Sequence, residues 1–329
     1  MHVPRRVLVT GAGGFVGSHL CEALLATGCT VIGLEGFVRT SYDPQIKRRN
    51  LRRCLAHPAF TLVEADLRYD TLEPHLQGVD TVVNQAAMPG LARSWTEFDA
   101  YAGCNLLALQ RLVEAARTSG VRRFVQASTS SVYGTHAVGD ETMPTQPISP
   151  YGVTKLAAEQ LLLAHVGAYG FPAVILRYFS IYGPRQRPDM AYQIFIEALC
   201  AGRPITICGD GLQSRSNTYV ADCVRGTIDA IGGAQVGEAY NIGGGVALTL
   251  NEAVGIIGEA MGVAPQTIHE PPRPGDQRHT AADVSKARDT FGYRPHVTPE
   301  VGLATQVAHI LDDHSWSIRK LDRIPAPVS

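Results

Sequence analysis

Apolar residues in the first half of the chain gather in short β-branched runs, each followed by a stretch whose apolar positions recur at helical spacing. The runs Val7–Thr10, Thr30–Leu34, Phe60–Glu64, Thr81–Asn84, Arg123–Ala127 and Ala173–Arg177 predict strands. The segments near 15–26, 70–77, 97–118 and 152–167 predict helices. Strands alternating with helices of this length imply βαβ units, and hence an α/β fold with a doubly wound parallel sheet covered on both faces. Beyond residue 178 the texture changes. Gly183-Pro184, Arg187-Pro188, Gly202-Arg203-Pro204 and Gly209-Asp210-Gly211 interrupt the alternation. The pattern predicts residues 1–180 as one domain and 181–329 as mainly a smaller lobe, with 217–243 returning to pack on the first.

Composition narrows the setting. At 329 residues and 45% hydrophobic, the chain can bury a large core without disulfides. Its seven cysteines are scattered and form no C-x-x-C pair, which predicts reduced thiols, no zinc site and a cytoplasmic protein. A net charge of −1 gives no footprint for nucleic acid. The cluster Lys47-Arg48-Arg49 with Arg52 and Arg53 reads as one solvated helix face. No signal-peptide run opens the chain, no apolar stretch is long enough to span a membrane, and the histidines show no metal spacing.

The chemistry starts at the first strand-to-helix turn, Gly11-Ala12-Gly13-Gly14-Phe15-Val16-Gly17. A glycine loop there lets backbone N–H groups and a helix N-terminus meet a pyrophosphate, which makes the first domain a Rossmann-type dinucleotide site. The spacing is G-x-x-G-x-x-G rather than G-x-G-x-x-G. Glu35, followed by Gly36 at the end of the second strand, is placed to accept both adenosine ribose hydroxyls and favours NAD over NADP. Arg39 is the counter-argument, because an arginine there can hold a 2′-phosphate. Asp66-Leu67 suits the adenine edge, and Gln85-Ala86-Ala87 brings small residues where backbone approaches a cofactor. Tyr151 and Lys155 stand one helical turn apart after Ser149-Pro150, with Thr129 upstream. A cation within 4–6 Å lowers a phenol pKa from about 10 by roughly 1–3 units, so Lys155 beside Tyr151, joined by an oxidised nicotinamide, predicts a base near neutrality.

These pieces resemble the extended short-chain dehydrogenase/reductase family, and the likeness runs through the chain. It rests also on Asn105, Ser128-Thr129-Ser130-Ser131-Val132-Tyr133-Gly134, Arg177-Tyr178-Phe179-Ser180-Ile181-Tyr182-Gly183-Pro184, Arg215 with Asp222, Asn241-Ile242-Gly243 and Arg273-Pro274-Gly275-Asp276. The resemblance implies an NAD-dependent nucleotide-sugar epimerase or dehydratase. Dehydratases of the family resemble Thr-Asp-Glu and decarboxylases Thr-Ser-Glu where this chain has Thr129-Ser130-Ser131, so the extra carboxyl is missing. Hydroxyls do not titrate in range for elimination chemistry. Tyr42-Asp43-Pro44 with Lys47, the hydroxyl run, and Gly183-Pro184-Arg185-Gln186-Arg187-Pro188-Asp189-Met190-Ala191 resemble UDP-glucuronate 4-epimerases.

On that likeness Tyr151, Lys155 and Thr129 are the expected catalytic residues. Asn105 is expected to support Lys155 through water, and Tyr178 to join the cofactor wall. Ser130 and Ser131 are expected on the sugar carboxylate, with Ser180 nearby and Arg185 as the arginine for the carboxylate or diphosphate. Arg215 and Arg273 are expected on the diphosphate, Asp276 on the uridine ribose, and Ile205-Thr206-Ile207 at the uracil edge through backbone groups. Arg93 is displaced by one position from the family's arginine. A UDP-glucose or UDP-N-acetylglucosamine 4-epimerase shares every catalytic residue, and a UDP-glucuronate decarboxylase is disfavoured by Ser131. A redox-sensing binding protein would need a broken Tyr or Lys. The long helices 97–118 and 152–167 resemble those that pair across a homodimer.

Overall fold

The structure is a computed structural model that describes residues 2–38, 42–272 and 277–312. Strand β1 (Arg6–Thr10) leads through the glycine loop into helix α1 (Phe15–Ala26), and β2 (Thr30–Glu35) follows. Helix α2 (Pro44–Asn50), with Asp43 as its N-cap and Pro44 in its first turn, precedes β3 (Phe60–Glu64). Strands β4 (Thr81–Asn84) and β5 (Arg123–Thr129) come next, then strands Ala173–Tyr178 and Ala239–Ile242. All seven are parallel, in the order Ala239–Ile242, Ala173–Tyr178, β5, β4, β1, β2, β3.

Why the sheet is doubly wound shows in its residues. Every residue of β5 is buried, as a parallel strand covered on both faces requires. Val7 and Val9 of β1 face the layer that contains α1, while Leu8 faces the opposite layer. The order reverses between β1 and β4, and a crevice opens there at the C-terminal ends of the strands, the place where such sheets bind ligands.

Two predicted helices differ. Segment 70–77 forms only a short 3-10 turn over Glu73–Leu76, because Pro74 and Gly78 leave room for little more. Segment 97–118 is helical but contains a π turn over Gly103–Leu107 between Phe98–Ala102 and Ala108–Thr118. The π turn pushes Asn105 inward. Helix Pro150–Tyr169 starts where the sequence placed it, with the Ser149 hydroxyl accepting from the Gly152 N–H at 3.1 Å.

After Tyr182 the chain builds a separate apolar core from helices Ala191–Cys200, Leu250–Met261 and Pro299–Asp312 and the paired strands Ile205–Cys208 and Thr267–Glu270. Between those pieces, helix Val220–Gly233 packs in the layer of α1 and strand Ala239–Ile242 joins the main sheet. Among the described residues, no helix is long and apolar enough to cross a membrane.

Candidate active site

A cavity of about 740 Å³ runs from the C-terminal edge of the sheet into the cleft beneath the lobe. Its floor is the glycine loop. Gly11 has φ +63°, and a Cβ there would sit 2.9 Å from the Ala86 backbone nitrogen, so no side chain fits between the loop and β4. Helix α1 starts at Phe15 without a side-chain cap, which leaves its first-turn N–H groups directed at the cavity. Gly11, Gly14, Phe15, Val16 and Gly17 line the wall. Gly13 does not; its N–H donates to Glu35 Oε2 at 3.0 Å, and a Cβ on it would lie 3.0 Å from the Lys47 Cβ, so glycine lets α2 pack close.

Glu35 lines the cavity, but its carboxylate is already engaged. Oε1 accepts from Lys47 Nζ at 2.8 Å and from the Phe37 N–H at 3.2 Å, while Oε2 takes Gly13. Glu35, expected as the acceptor of the adenosine ribose hydroxyls, thus sits on the cavity wall in an ion pair with Lys47. The solvated-face reading of the basic cluster is corrected: Lys47 is 8% exposed and lines the cavity, held there because a buried carboxylate needs a partner. Arg48, by contrast, is exposed, bidentate to Glu64 and stacked on Phe37. Arg39 lies outside the described residues.

Gly36, Asp66, Leu67, Gln85, Ala86 and Ala87 complete the dinucleotide half. Arg68 forks onto the Asp66 carboxylate, with Nη2 at 2.7 Å, and holds it below the usual carboxylate range. Tyr178 lines the wall with its hydroxyl between Gln85 and Thr227. Asn105 does not reach the cavity. Its side chain bonds the backbone of Met88 on both sides and the Thr154 hydroxyl, so the expected support of Lys155 through water is corrected to a strap between loop and helix.

Tyr151 and Lys155 lie one turn apart, and both line the cavity with Thr129. Lys155 is buried, donates to the Ala127 carbonyl at 2.6 Å, and is pushed down to about 8 by burial against a raising pull from Glu159. Burial raises the Tyr151 phenol; a hydrogen bond from Thr129 and the positive charge of Arg187 lower it. Arg187 is thus a second cation that favours the phenolate, while the Lys155 ammonium, one turn on from Tyr151, is anchored at the end of β5 by the Ala127 carbonyl. Tyr101 meets the Tyr151 ring edge-on at 6.2 Å.

Ser130, Ser131 and Ser180 also line the cavity. Thr129 Oγ1 accepts from the Ser131 N–H at 3.1 Å and lies 3.2 Å from its hydroxyl, which fixes the three-hydroxyl corner. Arg185, the arginine expected on the sugar, points away. Its φ of +65° turns the guanidinium onto α1, where it meets Glu22 at 2.6 Å and Ser18 at 3.2 Å. Arg187 takes that place on the cavity wall, paired with Asp189 at 2.9 Å. Arg93 forks onto Glu97.

In the lobe, Thr206 lines the cavity, while the Ile205 and Ile207 side chains enter the lobe core. Arg215 lines it too, with its guanidinium on the carbonyls of Ser214, Gln277 and Arg278. Arg273 and Asp276 lie outside the described residues. Sequence reasoning quoted Lys47 and Arg187 within motifs without giving either a role in the site, and it missed Tyr101 and Gln277. Gln277 donates to the Gly134 carbonyl at 2.5 Å and steadies the hydroxyl corner from behind.

A switch-point crevice with a glycine loop, an uncapped helix N-terminus and a Tyr–Lys helix defines a dinucleotide-dependent enzyme of the Rossmann type. Residues 7–243 match the NAD dependent epimerase/dehydratase family. A curated relative from Bacillus subtilis, the uncharacterized UDP-glucose epimerase YtcB, is 41% identical over 93% of this chain and 98% of its own length. The structure of a UDP-glucuronic acid 4-epimerase from Bacillus cereus with UDP-glucuronic acid and NAD superposes with a TM-score of 0.90 at 37% identity, covering 93% of this chain and 99% of that one. MoeE5, solved with NAD and UDP-glucuronic acid, superposes at 0.82 with 39% identity over 95% and 99% of the two chains, and it has also been solved with UDP-glucose. The chain belongs to the NAD-dependent epimerase/dehydratase family, and its cofactor is NAD.

Proposed function

We propose that this enzyme inverts C4 of UDP-glucuronate to give UDP-galacturonate, through a transient 4-keto sugar and with NAD held tightly. The observation that carries the reading is the hydroxyl corner Thr129, Ser130 and Ser131, in one cavity with Arg187. Hydroxyl donors and a guanidinium suit a sugar carboxylate, and charge-assisted bonds of this kind are about twice as strong as neutral ones. Positions 130 and 131 bring no carboxyl for elimination.

NAD, when bound, supplies a hydride acceptor for C4 that also returns the hydride. Gly11, Gly14–Gly17 and the first turn of α1 hold its pyrophosphate, the Glu35–Lys47 pair its adenosine ribose, and Asp66-Leu67 its adenine. Tyr151, with Thr129 bridging, takes the proton of the 4-hydroxyl and later gives it back. Lys155 is held for the nicotinamide ribose. The 4-keto uronate is a β-keto acid, which loses CO₂ once its C5–C6 bond aligns with the carbonyl π system. Ser130, Ser131 and Arg187 restrain the carboxylate outside that alignment while the ring turns. Arg215 and the strand around Thr206 take the UDP end, and Arg273 and Asp276 keep their expected roles there.

The test is direct. Ser130→Ala and Ser131→Ala are expected to weaken uronate binding by roughly tenfold or more, as loss of a bond to a charged group does, and to raise the pentose by-product. Unchanged affinity with no pentose would remove the carboxylate from this corner. A UDP-glucose 4-epimerase is the second reading, favoured by the name of the Bacillus subtilis relative and by MoeE5 having been solved with both sugars. We further propose residues 1–180 as the NAD-binding domain, 181–329 as mainly the nucleotide-sugar lobe, a cytoplasmic homodimer, and pairing through the helices that expose Phe98, Leu107 and Val153.

A further inference from the structure

Among the described residues only Phe37 and Arg185 combine a side chain with a left-handed backbone. At Arg185 the conformation directs the guanidinium onto α1, against Glu22 Oε1 at 2.6 Å and Ser18 Oγ at 3.2 Å. The neighbouring Pro184 carbonyl accepts from His19 Nε2 at 2.9 Å, and burial pushes His19 down to about 4, so a neutral ring makes that bond. Phe15, Ser18, His19 and Glu22 form one stripe of α1, at helical spacing. Phe15 belongs to the turn that faces the dinucleotide, and the other three hold the loop. From the opposite side, Gln306 accepts from the Gly183 N–H at 2.9 Å and donates to Gln186 Oε1 at 2.8 Å. The loop is gripped between two helices, and Arg187 follows directly in the cavity.

We infer that Arg185 is a positioning residue: its ion pair with Glu22 fixes the 183–189 loop on α1 and so holds Arg187 at the reacting end of the cavity, coupling the cofactor helix to the sugar pocket. Glu22 does not line the cavity, and its ion pair is with Arg185, so the Arg185 variants show whether an effect of changing it travels through the loop. The inference rests on Tyr151 as the proton-transfer group, not on which UDP-sugar is turned over. Tyr151 is faced by Thr129 from the end of β5, by Tyr101 from the neighbouring helix and by Arg187, whose ion-pair partner Asp189 lines the same cavity, with Lys155 one turn on. Of these, only Arg187 and its partner Asp189 are attached to the clamp.

Glu22→Gln, Arg185→Gly, their combination, and Arg187→Met are compared with the parent as purified holoenzymes. Glycine accepts the backbone at 185 without strain. Dinucleotide content per chain is expected to stay within about twofold. The acid limb of the kcat/KM profile is expected to move to higher pH in both single variants, in the direction of Arg187→Met and by about half a unit or more, because a cation that favours the phenolate has drifted away. The combined variant should move no further than Arg185→Gly, since both changes break one contact. Arg185→Lys, which keeps the charge, should recover much of the parent profile and separates lost clamping from lost folding. An acid limb that coincides with the parent in Glu22→Gln and Arg185→Gly overturns the inference, as does an unshifted limb in Arg187→Met. Turnover of UDP-glucose without UDP-glucuronate would refute the proposed substrate and still read the clamp.

Discussion

At the residue scale, burial raises the Tyr151 phenol, and Thr129 and Arg187 pull the other way. A base that works near neutrality therefore needs the positive charge that oxidised NAD brings beside it. Tyr151→Phe should lower turnover by roughly 10²–10⁴-fold, the usual range for one acid–base group, while NAD content measured after denaturation stays the same. Lys155, pushed down to about 8 by burial, predicts an alkaline limb above that pH. Glu159 favours its charged form, so Glu159→Gln should move the alkaline limb to lower pH. The same change leaves Arg177 without the buried carboxylate it forks onto, and chemical denaturation should show a loss of about 3–5 kcal/mol. Lys47→Met isolates Glu35 in the same way, but at the proposed ribose site. Its expected result is reduced NAD content on purification, read from the absorbance of released dinucleotide; parent-level content would remove Lys47 from cofactor retention.

At the element scale, what the sequence made legible was local. Strand runs, the glycine loop and the capped Tyr151–Lys155 helix each declare themselves within one or two turns of chain, and the structure contains all three. What stayed hidden depends on direction or distance. The choice between Arg185 and Arg187 turns on one left-handed φ, which no periodicity reports. Lys47 looked solvated because its partner Glu35 is twelve residues away in sequence. Asn105 looked like a support for Lys155 because the π turn that straps it to Met88 leaves no compositional trace. Glycines were more readable. A Cβ at Gly134, which has φ +89°, would lie 2.2 Å from the Gln146 carbonyl oxygen. Gly134→Ala should therefore cost about 1–3 kcal/mol of stability and loosen the hydroxyl corner that Gln277 braces.

At the scale of the whole molecule, the parallel sheet presents the ends of β1, β2, β4 and β5 to one crevice, and the lobe covers it, so the proposed cofactor and sugar sites share a single cavity. That arrangement suits a reaction in which the hydride never leaves, because the keto sugar has only to turn over in place. If the proposed pairing of the exposed helices is right, Leu107→Glu with Val153→Glu should shift the protein to a monomer in sedimentation without loss of NAD. The central claim concerns the sugar. Purified protein with no added cofactor, given UDP-glucuronate and separately UDP-glucose, is followed by the NMR signals of the sugar protons. The account predicts conversion of UDP-glucuronate to its galacto epimer, with no pentose and no external NAD. Conversion of UDP-glucose alone would contradict the carboxylate role of Ser130, Ser131 and Arg187, and pentose with CO₂ would contradict the restraint they are held to provide.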